Sequence, residues 1–599
     1  MDEKAKTLRL VESALSGPVE ITCDDPGAWT FSAAASVDDG RDVVAIELTS
    51  PVPAPPPRFG VFFQVPGDGV QNVWTSHFLQ DGYHLRPRLW WTGPSHYDAH
   101  LAREIPLAVG FNSAGVSKAA IACSEPYDLV RFGLYADDRT CDVVGRCEFF
   151  VQPVENRTRY AVKVLFDRRG RPWYDVVRDS VKWISRANGF TPMKVPLAAR
   201  EPLYSTWYAY LQDVHAGALE DEARLAASLG MKTMILDDGW QKEASRDFYS
   251  ATGDWMPAAG RFPDMRGHVA KVHAAGLKYM LWFGISTMGN ESRAFASFKD
   301  KLLSFGEGTG TLDPRFPEVR AYIVSFCERA VSEWGFDGLK LDFIDAFTLD
   351  GKDPAEAQGY AGRDFRSLPH AVDRLMKEIT DRLREIRPDV LVELRQPYVN
   401  PGMLRYGNML RAADCPADPC ANRRRICDMR LTSDGTAVHS DMLVWSAKET
   451  PQGAALPILN ALFSTVQYSM ILSRLPVSHR EVVRHWIEFS RVHRKTLLEG
   501  DFRPLHPEIG YPLIVAEGEG ERVVAAYSDC ACAPLGKPDR ATYVVNATGT
   551  PRVLVDMAAP PRRMERFDVA GRPVDGSQSA PAGLSRIDVP QSGYVKIEW

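Results

Sequence analysis

The sequence predicts a multidomain chain: a central (β/α)8 barrel flanked by an N-terminal β-sandwich and a C-terminal all-β domain. Three observations predict it. Between about residue 200 and 498, eight compact apolar runs alternate with amphipathic stretches, and strand–helix alternation implies parallel pairing. Before that region, short alternating runs such as RDVVAIELTS, FGVFFQVP and TRYAVKVLF are separated by turn residues, as in an antiparallel sandwich. After it, YPLIVAEG, ERVVAAYSD, ATYVVNAT and GYVKIEW return to short strands. The expected boundaries are 1–185 for the sandwich with a linker helix (PWYDVVRDSVKWISRANG), 186–498 for the barrel and 499–599 for the C-terminal domain.

The eight runs are PLYSTWYAY, KTMILDDGW, LKYMLWFGI, FDGLKLDFID, VLVELRQP, NMLRAAD, AVHSDMLVW and YSMILSRLP. Eight units over some 300 residues fit a barrel of this kind. The sixth and seventh units are weakest in pattern, because 415–435 is rich in Cys, Arg and Pro. The longest apolar stretch, 456–473, is broken by Asn460, Ser464 and Gln467 and reads as a buried helix running into a strand, not a membrane span.

At 599 residues the chain is too long for one core. Its 45% hydrophobic and 25% charged content is that of a soluble globular protein, and a net charge of -6 gives no field for nucleic acid or a membrane surface. The N-terminus lacks an apolar core of signal length, so the expected location is cytoplasmic, with thiols reduced. A homo-oligomer is possible.

Chemistry in such barrels is built at the C-terminal strand ends. The proposed ends carry Asp237, Asp238 and Trp240; Trp282; Lys340, Asp342 and Asp345; Glu393 and Arg395; Arg411 and Asp414; Asp441; and Arg474. A single carboxylate there is as readily a helix N-cap as a catalyst. Carboxylates gathered with Trp suit a pyranose, which offers an apolar face and a rim of hydroxyls. The thirteen histidines form no close pair at a strand end, and Cys415, Cys420 and Cys427 lack a paired C-x2-C; no metal or other cofactor is expected.

Lys340 and Asp342 lie two apart inside an otherwise apolar strand, so both project from one face. Asp342 is the expected nucleophile of glycoside hydrolysis, kept ionised by Lys340. Asp414 is the expected acid/base, its pKa raised by the apolar Cys415-Pro416-Ala417 that follows; Asp418 is a rival.

At these residues the chain resembles glycoside hydrolase family 36 and its clan relatives, the family 27 α-galactosidases and raffinose-synthase-like proteins. The matching segments are STWYAY, LDDGWQ, GDWMPAAGRFPDMRG, GLKYMLWFGIS, GLKLDFIDAF, PGMLRYGNMLRAADCPADP and HSDMLVWS. The resemblance implies Asp342 as nucleophile, Asp414 as acid/base and Asp237 and Asp238 on the galactose hydroxyls. It also places Trp207 and Asp441 and implies a substrate contact from Lys340; the strand-end residues Trp240, Trp282, Arg395 and Arg411 are the further expected sugar contacts. The implied activity is a retaining α-glycosidase acting on an oligosaccharide or other glycoside, with an α-galactosyl transferase or a sugar-binding homologue without catalysis as alternatives. Two family segments are replaced: Phe283-Gly284-Ile285-Ser286 lacks an acid, and Glu393-Leu394-Arg395-Gln396-Pro397 stands where the family has a Cys- and Gly-rich loop.

Overall fold

A computed structural model describes residues 6–13, 17–77, 87–88, 96–242, 249–349, 353–576 and 578–599. Eight parallel strands form the barrel: β1 (Leu203–Ser205), β2 (Thr233–Leu236), β3 (Lys278–Gly284), β4 (Gly338–Asp342), β5 (Leu391–Arg395), β6 (Met409–Arg411), β7 (Ala437–His439) and β8 (Gln467–Tyr468). β8 pairs with β1, and parallel bridges His439–Thr465 and Leu443–Tyr468 bring β7 to β8. A linking helix, α1 (Trp173–Asn188), stops at Gly189, whose φ of 65° ends the helix in the left-handed region. Around the barrel run α2 (Ala216–Leu229), α3 (Met265–Ala274), α4 (Pro317–Ser332), α5 (Leu368–Ile386), α6 (Pro419–Thr432), α7 (Pro451–Asn460) and α8 (Val477–Val492).

Two expectations at the strand level are corrected. β5 and β6 are joined without an α-helix; the link carries only the 3-10 turn Met403–Arg405. Its thirteen residues, 396–408, split by Pro397, Pro401 and Gly402, are too few to cross back over the sheet as a helix, and the segment docks on the sandwich instead. The eighth strand ends at Tyr468, so Arg474 is not a strand-end residue; it lies in the 3-10 turn Leu472–Arg474.

Register explains the buried charges. Trp282 pairs with Lys340 and Gly284 with Asp342; Lys340 pairs with Glu393, and Arg395 with Arg411. Side chains alternate along a strand, so the intervening Leu339, Leu341, Leu394 and Leu410, all fully buried, face the helices. The polar set therefore fills the barrel interior in layers rising to its C-terminal mouth. Gly284 belongs to this arrangement: a Cβ there would stand 2.8 Å from the Phe343 ring.

The N-terminal region is a seven-stranded sheet facing a six-stranded one, with Val19, Ile21, Phe59, Phe63 and Phe166 among the side chains between them. The C-terminal region has a seven-stranded and a three-stranded sheet. Asp428 on α6 ties all three parts, accepting from Trp74 Nε1 at 2.9 Å and from the Tyr511 hydroxyl at 2.6 Å. At the barrel mouth the Glu104 N–H donates to the Pro397 carbonyl at 3.1 Å.

A buried ionic network fixes the loops over the mouth. Arg315, fully buried, pairs with Asp313 (2.9 Å) and doubly with Asp353 (2.7 and 2.8 Å), and Arg363 reaches Asp313 at 2.8 Å. Removing Arg315 leaves Asp313 with Arg363 alone and strips buried Asp353 of its ion-pair partner. Arg315→Ala is expected to cost about 3–5 kcal/mol in urea denaturation; a loss below about 1 kcal/mol would mean that the network does not hold the loops.

Candidate active site

Asp342 closes β4 and is buried, its side chain 10% exposed. Its Oδ1 accepts the Phe343 N–H at 2.8 Å and lies 2.9 Å from Arg395 Nε. Its Oδ2 accepts from Trp282 Nε1 at 3.1 Å. Burial pushes its pKa up, but Arg395, Lys340 and Arg411 outweigh that and hold the carboxyl below its ordinary range. It is therefore ionised at neutral pH. The direct cation is Arg395 and not Lys340, as the sequence suggested. Lys340 Nζ instead donates to Asp237 Oδ2 at 2.6 Å and acts on Asp342 only through space.

Arg395 organises the mouth. Besides Asp342 it approaches Asp345 (3.5 Å) and Asp414 (3.8 Å), so carboxylates from β4, the segment after it and the segment after β6, on either side of β5, converge on one guanidinium. The Tyr398 hydroxyl, buried, donates to Asp345 Oδ1 at 3.0 Å and lies 3.4 Å from Asp342 Oδ1.

Asp414 stands differently from the expectation. Its side chain is 48% exposed and its Oδ1 accepts from Arg411 at 2.8 Å. Burial raises its pKa, but Arg411, Lys340 and Arg395 prevail and bring it down to about 2. The apolar neighbours in sequence do not make it an acid, because cations from β4, β5 and β6 surround it in space. Asp418 takes no part in this cluster: it caps α6, accepting the Ala421 N–H at 2.9 Å.

Arg411 is buried and shared: one terminal nitrogen reaches Asp441 Oδ1 at 2.6 Å, Asp414 Oδ1 at 2.8 Å and the Ala412 carbonyl at 2.9 Å. The second oxygen of Asp441 accepts from the Cys415 N–H (2.7 Å) and the Tyr208 hydroxyl (3.0 Å). Asp441, fully buried, thus anchors Arg411 and the loop bearing Asp414. Asp238 accepts from the side chains of Gln212 and Gln241, and burial pushes its pKa up to about 6. Glu393, one layer below, accepts from Gln467 at 2.6 Å and is likewise raised to about 6 by burial.

The tryptophans divide. Trp282 reaches the nucleophile candidate. Trp207, partly exposed, opens a one-turn helix just after β1. Trp240 presents no open face: it is 0% exposed, boxed in by Trp255, Phe283 and Trp334, and its Nε1 is spent on the Trp282 carbonyl at 2.9 Å. It is a wall behind Trp282, a correction to its expected contact with sugar. Asp254 is also structural, accepting the N–H groups of Arg293 and Ala294. Tyr398, Tyr208 and Gln467 were not picked out in the sequence. Tyr208 sits beside Trp207 and Tyr398 three residues after Arg395, so a close reading of strand-end neighbours would have raised them.

Fold and site together define a barrel protein with a carboxylate–guanidinium pocket at its C-terminal mouth, flanked by a sandwich and a β cap. The Melibiase family model matches residues 193–500, which is the barrel. The chain belongs to this family, with the α-galactosidase-like architecture of glycoside hydrolase family 36. It is 34% identical to α-galactosidase Mel36A of Lactobacillus acidophilus over 105 residues, 17% of this chain and 14% of that protein. The matched stretch thus spans a small part of that relative's length. An α-galactosidase structure from Lactobacillus brevis superposes with a TM-score of 0.61 at 15% identity, covering 98% of this chain and 82% of that one. A variant of the family 36 α-galactosidase AgaA from Geobacillus stearothermophilus, in complex with raffinose, gives 0.64 at 16% identity, covering 98% and 82%.

Proposed function

We propose that the protein hydrolyses terminal α-galactosides, or closely related α-glycosides, with retention of configuration. The observation that carries this reading is the convergence of Asp342 and Asp414 on the Arg395 guanidinium beside Trp282. Asp342 attacks the anomeric carbon as the glycosidic C–O bond breaks, forming a glycosyl ester, and Asp414 delivers a proton to the departing oxygen. Water then attacks the same carbon, Asp414 takes its proton, and the Asp342 carboxylate is released. Trp282 and the Phe343 N–H fix the attacking carboxylate; Lys340, Asp237 and Asp238 offer donors and acceptors to the sugar hydroxyls. A reducing, cytoplasmic setting is part of this reading, in keeping with ten cysteines spread along the sequence. Among the described residues, no helix is long and apolar enough to cross a membrane.

A panel of nitrophenyl α-glycosides tests the reading: the galactoside is expected to be cleaved fastest, and no cleavage of any member would contradict it. The low pKa of Asp414 adds a sharper expectation. For alkyl leaving groups that need a proton, kcat/KM falls about tenfold per pH unit above pH 3. The protonated fraction of a group with a pKa of about 2 falls by that factor. Nitrophenyl substrates need little protonation, so their kcat/KM stays flat over the same range. Asp414→Ala removes the difference by slowing the alkyl glycosides selectively. A second reading, a sugar-binding homologue without turnover, is favoured by that same low pKa; it predicts affinity for galactosides with no product.

A further inference from the structure

The sandwich and the loop after β4 enclose a second cavity, of about 390 Å³, lined by Asp98, Arg103, Arg131, Gln152, Thr348 and Glu356 among others. That volume is within the roughly 300–1,000 Å³ usual for ligand sites. Both walls lead to the active-site mouth. Thr348 follows Asp345 by three residues on one loop. On the other side, the segment His100–Glu104 is bonded to the β5–β6 link: Asn400 Nδ2 donates to the carbonyls of His100 and Glu104 at 3.4 Å, and the Glu104 N–H to that of Pro397. Tyr398, next in that link, touches Asp342 and Asp345.

We propose that this cavity is a distal subsite for the neutral, hydroxyl-rich part of an oligosaccharide whose terminal α-linked sugar is at Asp342; the proposal rests on the reading above. Its chemistry is that of carbohydrate recognition. Arg131 and Asp98 form a two-point pair at 3.0 and 3.3 Å, presenting donors and acceptors side by side, as vicinal hydroxyls require. The Arg103 side chain makes no hydrogen bond or ion pair among the described residues, so it enters the cavity with its donors available. Cations and carboxylates are mixed along the walls, which disfavours a strongly charged ligand. Leu129, Val151 and Leu349 supply the apolar patches that the flat face of a sugar covers.

The test compares an α-galactosyl trisaccharide with nitrophenyl α-galactoside, on the full chain. Arg103→Ala is expected to raise KM for the trisaccharide by about tenfold or more, the loss of a hydrogen bond to a charged group, with kcat unchanged. KM for the nitrophenyl substrate is expected to stay within twofold. Gln152→Trp, which fills the cavity from its rim without deleting a charge, is expected to do the same. The proposal is overturned if both variants leave the trisaccharide KM unchanged, or if KM rises equally for both substrates. Wild-type protein inactive on both substrates overturns the catalytic reading, and this one with it; wild-type activity with unresponsive variants overturns this one alone.

Discussion

Asp342→Ala is expected to lower kcat/KM for nitrophenyl α-galactoside by about 10⁴-fold or more, the scale seen when a nucleophile is removed from a covalent mechanism. The reason lies in how many groups exist to serve this one carboxylate. Trp282 Nε1, the Phe343 N–H and Arg395 all address its two oxygens, and three cations together overcome the burial that would otherwise protonate it. A methyl in its place leaves those donors aimed at nothing and the anomeric carbon without an attacking group. The fold is expected to persist, since the layers of Leu339, Leu341 and Leu394 behind the strand are untouched; circular dichroism and urea denaturation check that. Activity within about 100-fold of the wild type in a folded variant would assign the attack to another group.

Arg411→Met is expected to destabilise the protein by about 3–5 kcal/mol in urea at neutral pH, because it strands a buried charge. Asp441 is fully buried and has Arg411 as its direct ion-pair partner. Without that partner, burial and Asp414 drive its pKa further up. A folded pKa above the unfolded carboxyl range contributes a stability deficit that grows as pH rises through the interval between the two values and diminishes below it. The variant is therefore expected to approach wild-type stability on acidification toward about pH 4, near the ordinary carboxyl value. Asp414 loses its chief cation in the same variant, so its pKa moves up from about 2. The fall in kcat/KM for alkyl glycosides then begins at a correspondingly higher pH. A deficit independent of pH would mean that Arg411 acts through packing and not through charge.

The barrel was legible because its strands interleave two signals: outward leucines at every second position, and inward charges between them. GLKLD shows both in five residues. What escaped was where a strand stops. The eighth run is apolar beyond Tyr468, yet pairing with β1 stops at Tyr468. The missing helix between β5 and β6 escaped because an eight-unit count takes the connections on trust. The polar residues of the mouth were visible one by one, but their pairings were not. Lys340 lies two residues from Asp342 and yet bonds Asp237, 103 residues away. Asp414 is followed by apolar residues and yet its pKa is brought down, because Arg395 and Arg411 come to it from adjacent strands. Charge partnerships are set by register across the sheet, which a linear reading underdetermines. Trp240 shows the same limit for aromatic rings: its place in the core depends on Trp255 and Trp334 arriving from distant segments.

The most direct test of the account is the configuration of the sugar at the moment of release. Proton NMR of an α-galactoside digest, recorded before mutarotation, is expected to show α-galactose first. Release of β-galactose would mean a single displacement by water, with no ester on Asp342, and would contradict the account at its centre.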